Sequence, residues 1–138
     1  VSSLIQTVFP QKKKNLDIYS CALVNNIFSK QKKITNEILD KFCISEMVFR
    51  QFLSYFNKEL QRISLLSKYE QDEVSGLLSE KIDYKYELAE KRKSKLSSND
   101  ISKSLAMIYK IEKLNSDSKY SEENAKRFIV SIKNILQF

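Results

Sequence analysis

Apolar residues recur along this chain at spacings of three and four, the pattern of helices that bury one face. The clearest run follows Ser45, where Val48, Phe49, Phe52, Leu53, Phe56 and Leu60 mark about four turns of a single helix. Ser45 is its predicted N-cap. Just before it, Thr35 caps a short helix to Phe42, and Cys43 and Ile44 form the corner between the two. Earlier still, a helix capped by Asp17 and running through Ser29 offers Ile18, Ala22, Leu23, Ile27 and Phe28 as a wide buried face. Near the start, Leu4, Ile5, Val8 and Phe9 predict a short helix closed by Pro10.

The second half is more mixed. Leu65, Leu66, Tyr69, Val74, Leu77 and Leu78 read as helix with a break near Gly76, whereas Ile82, Tyr84, Tyr86 and Leu88 alternate as a strand would. Helix is the favoured reading, because Glu80, Lys81, Glu87, Ala89, Glu90 and Lys91 are good helix formers and turn residues are scarce. A hairpin here would add a small β-wing. Beyond a loop at Ser97 and Ser98, Asn99 or Asp100 caps a helix with Ile101, Leu105, Ile108, Ile111 and Leu114 on one side, ending at Asn115–Ser118. Ser121 caps the last helix, which buries Ala125, Phe128, Ile129, Ile132, Ile135 and Leu136 and sets Glu122 and Glu123 against its N-terminal dipole. The predicted fold is therefore all-α: a compact bundle of about six helices in one domain over residues 1–138.

Composition agrees with that reading and narrows the chemistry. One glycine and one proline in 138 residues leave few positions for tight turns or phosphate-cradling loops. The start at Val1 rather than methionine reads as a piece of a longer protein. No apolar run reaches the roughly 20 residues of a membrane span, so no membrane partner and an intracellular location are expected. With no histidine and two cysteines, an all-protein zinc site lacks ligands. Cys21 and Cys43 both lie in apolar stretches and read as core residues. No phosphate-binding loop, dinucleotide fingerprint, nucleophile elbow or zinc-hydrolase motif occurs, and the carboxylate pairs Asp72/Glu73 and Glu87/Glu90 have no histidine support. A non-enzymatic protein is expected, with no cofactor and no small-molecule substrate.

The net charge of +7 is unevenly spread. Residues 1–33 carry six basic side chains and one acidic, residues 34–62 four of each, residues 63–102 seven basic and eight acidic, and residues 103–138 seven and four. The excess lies toward the ends.

The segment ITNEILDKFCISEMVFRQFL, residues 34–53, resembles the helix-turn-helix superfamily. Ile38 and Phe42 stand at the buried positions of the first helix, Ile44 at the apolar turn position, Ser45 at the cap, and Phe49 and Leu53 where the second helix packs back. Cys43 replaces the frequent glycine, and Leu39 a small residue. With the preceding helix, the pair also looks like the later helices of the cyclin-like repeat in general transcription factors of the TFIIB type, and winged-helix domains share the pattern. The resemblance implies a transcription, replication or chromatin protein in the nucleus.

If the family's mode of reading DNA carried over, Glu46, Met47, Arg50, Gln51 and Ser54 would face the bases. Lys12, Lys13 and Lys14, Lys30, Lys32 and Lys33, and Lys91, Arg92, Lys93 and Lys95 are candidates for phosphate contacts. Yet the 34–62 segment carries no net positive charge, and Met47, Val48, Phe52 and Tyr55 give its second helix apolar material on more than one side. The favoured expectation is a protein-interaction module, with another protein or a second copy as partner and weak DNA-backbone contacts in addition. A sequence-specific DNA reader using residues 45–60 and a purely structural scaffold are the alternatives. Tyr55, Tyr69, Tyr84 and Tyr86 read as core or interface aromatics rather than as stacking platforms for single strands.

Overall fold

A computed structural model describes residues 19–137. Helix α1 covers residues 19–27, followed by α2 (Asn36–Cys43), α3 (Glu46–Leu66), α4 (Gln71–Leu78), α5 (Tyr84–Lys95), α6 (Ser98–Asp117) and α7 (Glu122–Leu136). The chain is all-α, and among the described residues there is no strand. The expected helix at Ser2–Phe9, the Asp17 cap, Ile18 and the lysines Lys12, Lys13 and Lys14 lie outside the described residues.

Short polar side chains start most of these helices. Thr35, Ser45 and Ser121 each accept a hydrogen bond from a backbone N–H in the first turn, as their positions in the sequence predict. At α6 the cap is Ser97 rather than Asn99 or Asp100. Its hydroxyl accepts from the Asp100 N–H while the Asp100 carboxylate accepts from the Ser97 N–H, a reciprocal capping box that moves the start forward.

The α3 helix is the axis of the bundle. It is longer than its clearest apolar run, 21 residues, because Ile63 and Leu66 extend the buried stripe. It packs against α2, α4, α5 and α6, and α7 closes the other side against α2 and α6. Along it Phe49, Phe52 and Phe56 form an aromatic spine: Phe52 and Phe56 stack at 5.7 Å, Phe42 meets Phe52 at 6.3 Å, and Phe128 of α7 meets Phe49 edge-on at 6.0 Å.

The alternating segment is not a wing. Ile82 lies in the α4–α5 connector and Tyr84–Leu88 in α5, where Tyr86 is buried and Tyr84 exposed. Gly76 does not break the chain either, since it lies inside α4 with open space where a Cβ would stand. The turn comes at Ser79, the C-cap of α4, which takes up a left-handed conformation at φ 53°.

Three distant side chains donate to backbone carbonyls at or just beyond helix C-termini. The Tyr120 hydroxyl donates to the Cys43 carbonyl at the end of α2, the Lys133 ammonium to the carbonyls of Asn26 in the last turn of α1 and Ser29 just beyond it, and the Lys93 ammonium to the Leu66 carbonyl at 3.3 Å. These contacts tie ends of α1, α2 and α3 to later parts of the chain.

Candidate functional site

The corner between α2 and α3 consists of Ile44 and Ser45. Cys43 is fully buried there, and burial pushes its thiol up to about 12. Ile44 is 71% exposed and Met47, in the first turn of α3, is 76% exposed. Ile44, expected at the apolar turn position, therefore faces solvent instead of packing in the corner. The buried residue beside the corner is Cys43, the last of α2, and Ile44 and Met47 face outward.

The four residues expected to make a protein-interaction face do not share one. Met47 is exposed, Val48 is half-buried against the core, and Phe52 is fully buried among Phe42, Phe49 and Phe56. Tyr55 is half-buried and lines a cleft beside α5. Their spacing carries them round the helix, which packs against α2, α4, α5 and α6.

Of the residues expected to meet DNA, Arg50 is exposed and pairs with Glu46 at 3.3 Å, Gln51 is half-buried, and Ser54 is exposed. Lys30, Lys32 and Lys33 are exposed in the connector before α2. The 91–93 run splits. Lys91 faces solvent, Lys93 is half-buried on the Leu66 carbonyl and Glu90, and Arg92 is buried. Consecutive helical residues turn through about 100°, so a helix presenting Lys91 outward carries Arg92 toward its packed side. Arg92 thus faces inward rather than forming a phosphate-contacting surface with its neighbours.

Arg92 instead belongs to a buried charge network. Glu59 accepts hydrogen bonds from Arg62 at 2.8 Å and from Arg92, and Arg62 forks onto Glu80 with two bonds of 2.7 Å. Tyr86 donates to Glu80 at 3.0 Å, Arg92 donates to Asn25 at 2.7 Å, and the Arg92 guanidinium stands 4.4 Å from the centre of the Phe28 ring. Burial opposes ionisation of Glu80, but the Arg62 fork outweighs it and holds the carboxyl below its ordinary value. For Arg92 burial wins over the attraction of Glu59 and lowers the pKa. Two carboxylates face two guanidiniums, so the network is internally neutral. It floors a cleft of about 420 Å³ with Tyr55, Tyr84 and Leu88 on its walls. Sequence reasoning passed over Glu59 and Arg62, although both flank the apolar stripe of α3, where a solvated charge is unexpected.

A second, more polar hollow lies between α3 and α6. It holds about 430 Å³ and is bordered by Arg50, Ser54 and Asn57 on one side and Glu112, Asn115 and Ser116 on the other. Asn115 is 8% exposed, and its Oδ1 accepts no hydrogen bond. An unsatisfied buried acceptor costs about 1–3 kcal/mol. Its signal in the sequence is the buried stripe Ile101–Ile108–Ile111, which reaches an amide at the next inward place. Leu114, expected on that stripe, is exposed instead.

The remaining candidates disperse over the surface. Asp72, Glu73 and Glu87 are exposed, and Glu90 pairs with Lys93 at 2.8 Å. Cys21, read as a core residue, is exposed on α1, because the buried side of that helix is set by Leu23, Val24 and Ile27. Among the described residues, no group of three or more Cys, Asp or Glu side chains could hold a metal ion, and no helix is long and apolar enough to cross a membrane. No protein-family model, curated protein or solved structure matches this chain.

Proposed function

We propose that this helical domain is a non-catalytic protein-interaction module whose contact surface is centred on the α2–α3 corner. The observation that carries the reading is the pair Ile44 and Met47, three positions apart across the corner and both more than two-thirds exposed. The corner's backbone is held by two capped helices, and the large apolar side chains on it are costly to leave in water and suited to a partner's apolar pocket. The charges beside them point the same way. Arg50 is paired with Glu46, so the corner has little net field for phosphates. The resemblance of residues 34–53 to helix-turn-helix domains is the ground for assigning such a module to a transcription, replication or chromatin protein in the nucleus.

Site-specific photocrosslinking tests this reading. A photoreactive residue at position 47 is expected to capture a discrete protein, either another chain or a second copy of this one, while the same group at Gln61, exposed farther along α3, captures none. Equal yields from both positions, or no protein adduct from position 47, would refute it.

A second reading, contact with DNA, is favoured by the exposed Lys30, Lys32 and Lys33 and by Arg50, Gln51 and Ser54 at the start of α3. Fluorescence anisotropy with several duplexes at low and near-physiological salt separates its forms. Uniform affinity erased by salt corresponds to backbone contacts, and sequence-dependent affinity that survives salt to a base-reading α3.

A further inference from the structure

On the side of α6 away from α3, a groove of about 240 Å³ runs between α6 and α7. Its floor is apolar. Ile111 and Phe128 are buried beneath it, Met107 is half-buried, and Leu114 is left 43% exposed. Lys110 of α6 and Arg127 of α7 border it, the remaining lining is uncharged, and among the described residues only these two helices form its walls. Lys103, Met107, Lys110 and Leu114 follow one another at intervals of four, three and four residues, so they share one strip of α6, with both lysines exposed.

We infer that the α6–α7 groove docks an acidic amphipathic helix of a partner protein. Its apolar residues rest on Met107 and Leu114, and its carboxylates pair with Lys103, Lys110 and Arg127. This face lies on helices other than α3 and stands independently of the α2–α3 corner.

Charge and shape select this occupant. The groove presents cations from both walls and no carboxylate, within a stretch, residues 103–138, that carries seven basic side chains and four acidic. The nearby carboxylates are engaged elsewhere or held loosely. Glu112 lines the hollows on the α3 side, and Glu122 pairs with Lys126. Glu123 pairs with Arg127 at 2.6 Å, but both side chains are more than two-thirds exposed, and so exposed a pair exchanges readily for an incoming carboxylate. An apolar floor between two long helices suits a third helix laid along it, whose own ridges fill the groove. Lys103 to Leu114 rises about 16 Å at about 1.5 Å per residue, the length of three turns. A nucleic acid would use the cations but not the floor, and Phe128 is too deeply buried to stack on a base.

A displayed library of helix-forming peptides tests the inference, with leucine fixed along one face and the flanking positions randomised over glutamate, lysine and glutamine. Peptides enriched on the folded domain are labelled and titrated by anisotropy against the wild type, Lys110→Glu, Leu114→Ser and Lys68→Glu, the last placing the same charge change on an exposed lysine beyond α3. Glutamate is expected to dominate the flanks. Affinity should fall about five- to tenfold with Lys110→Glu or Leu114→Ser and stay near the wild-type value with Lys68→Glu. Replacing the peptide's flanking glutamates by lysine should recover binding to Lys110→Glu. Lys110 and Leu114 are exposed, so both variants should keep the fold, which thermal melts verify, and Lys110→Glu carries the test alone if Leu114→Ser does not fold. No enrichment above the bare support, flanks without an acidic preference, or equal losses from Lys110→Glu and Lys68→Glu would overturn the groove. Duplex DNA bound in place of any peptide, and lost in the same two groove variants, would overturn it in favour of a nucleic-acid surface. Crosslinking from position 47 is independent of all these results, so failure at the groove leaves the corner standing, and failure at the corner leaves the groove.

Discussion

Substituting Glu59→Gln removes a charge from the buried network while keeping the side chain's shape. Glu59 is buried and accepts from both Arg62 and Arg92. Without its charge, Arg62 still has the Glu80 fork, but Arg92 has no carboxylate left, only neutral acceptors such as the Asn25 oxygen and the face of Phe28. A buried guanidinium stripped of its counter-charge costs about 3–5 kcal/mol, against a total stability of about 5–15 kcal/mol for a domain of this kind. The melting temperature should therefore fall by about 10–20 °C. Urea unfolding followed by far-UV circular dichroism measures the loss, with Arg127→Ala as the control, because the Arg127–Glu123 pair is exposed on both sides and should contribute nothing measurable. Pairing Glu59→Gln with Arg92→Met removes the stranded cation and should restore part of the loss, which makes the double variant less damaged than the sum of the singles. A cost below about 1 kcal/mol for Glu59→Gln would refute the network as a structural element.

Other consequences are equally accessible. Glu80 is held below its ordinary value of 4.5, so its contribution to stability is fully present above about pH 4.5 and is lost as pH falls through the lowered pKa. Glu80→Gln should flatten the acid limb of the stability profile, and an unchanged limb in acid titrations followed by circular dichroism would contradict the Arg62 fork. The thiols should differ sharply in reactivity. Cys21 is exposed, whereas the Cys43 thiol is buried and pushed up to about 12, so a thiol reagent at neutral pH should modify one cysteine in the native protein and two after unfolding. Rapid native modification of both would count against the placement of the α2–α3 corner. Asn115→Leu should stabilise the domain by about 1–2 kcal/mol, because it removes an orphaned acceptor and completes an apolar stripe. A loss of stability in denaturant titrations would mean that the amide already has a partner.

The helices themselves were written in local sequence. Thr35, Ser45 and Ser121 cap where their side-chain oxygens can meet first-turn N–H groups, and apolar spacing marked the inward faces of α3 and α7, both effects confined to a few turns of chain. What the sequence could not supply was the number of neighbours around each helix. α3 reads as a helix with apolar material on more than one side, but only packing decides that Phe52 lies fully in the core while Met47, Arg50, Ser54, Lys58 and Gln61 form the exposed strip. Likewise, Lys91, Arg92 and Lys93 form one basic run in sequence, and only the packing of α5 against α3 decides that the middle member is buried against Glu59. The same holds for the candidate sites. Ile44 and Asn115 were visible as residues, but the exposure of the first follows from how α2 and α3 meet, and the orphaned acceptor of the second from the approach of α6 to α3. Caps and periodicity act between near neighbours and are legible along the chain, whereas burial and charge pairing depend on residues brought together from distant segments, which only the tertiary structure fixes.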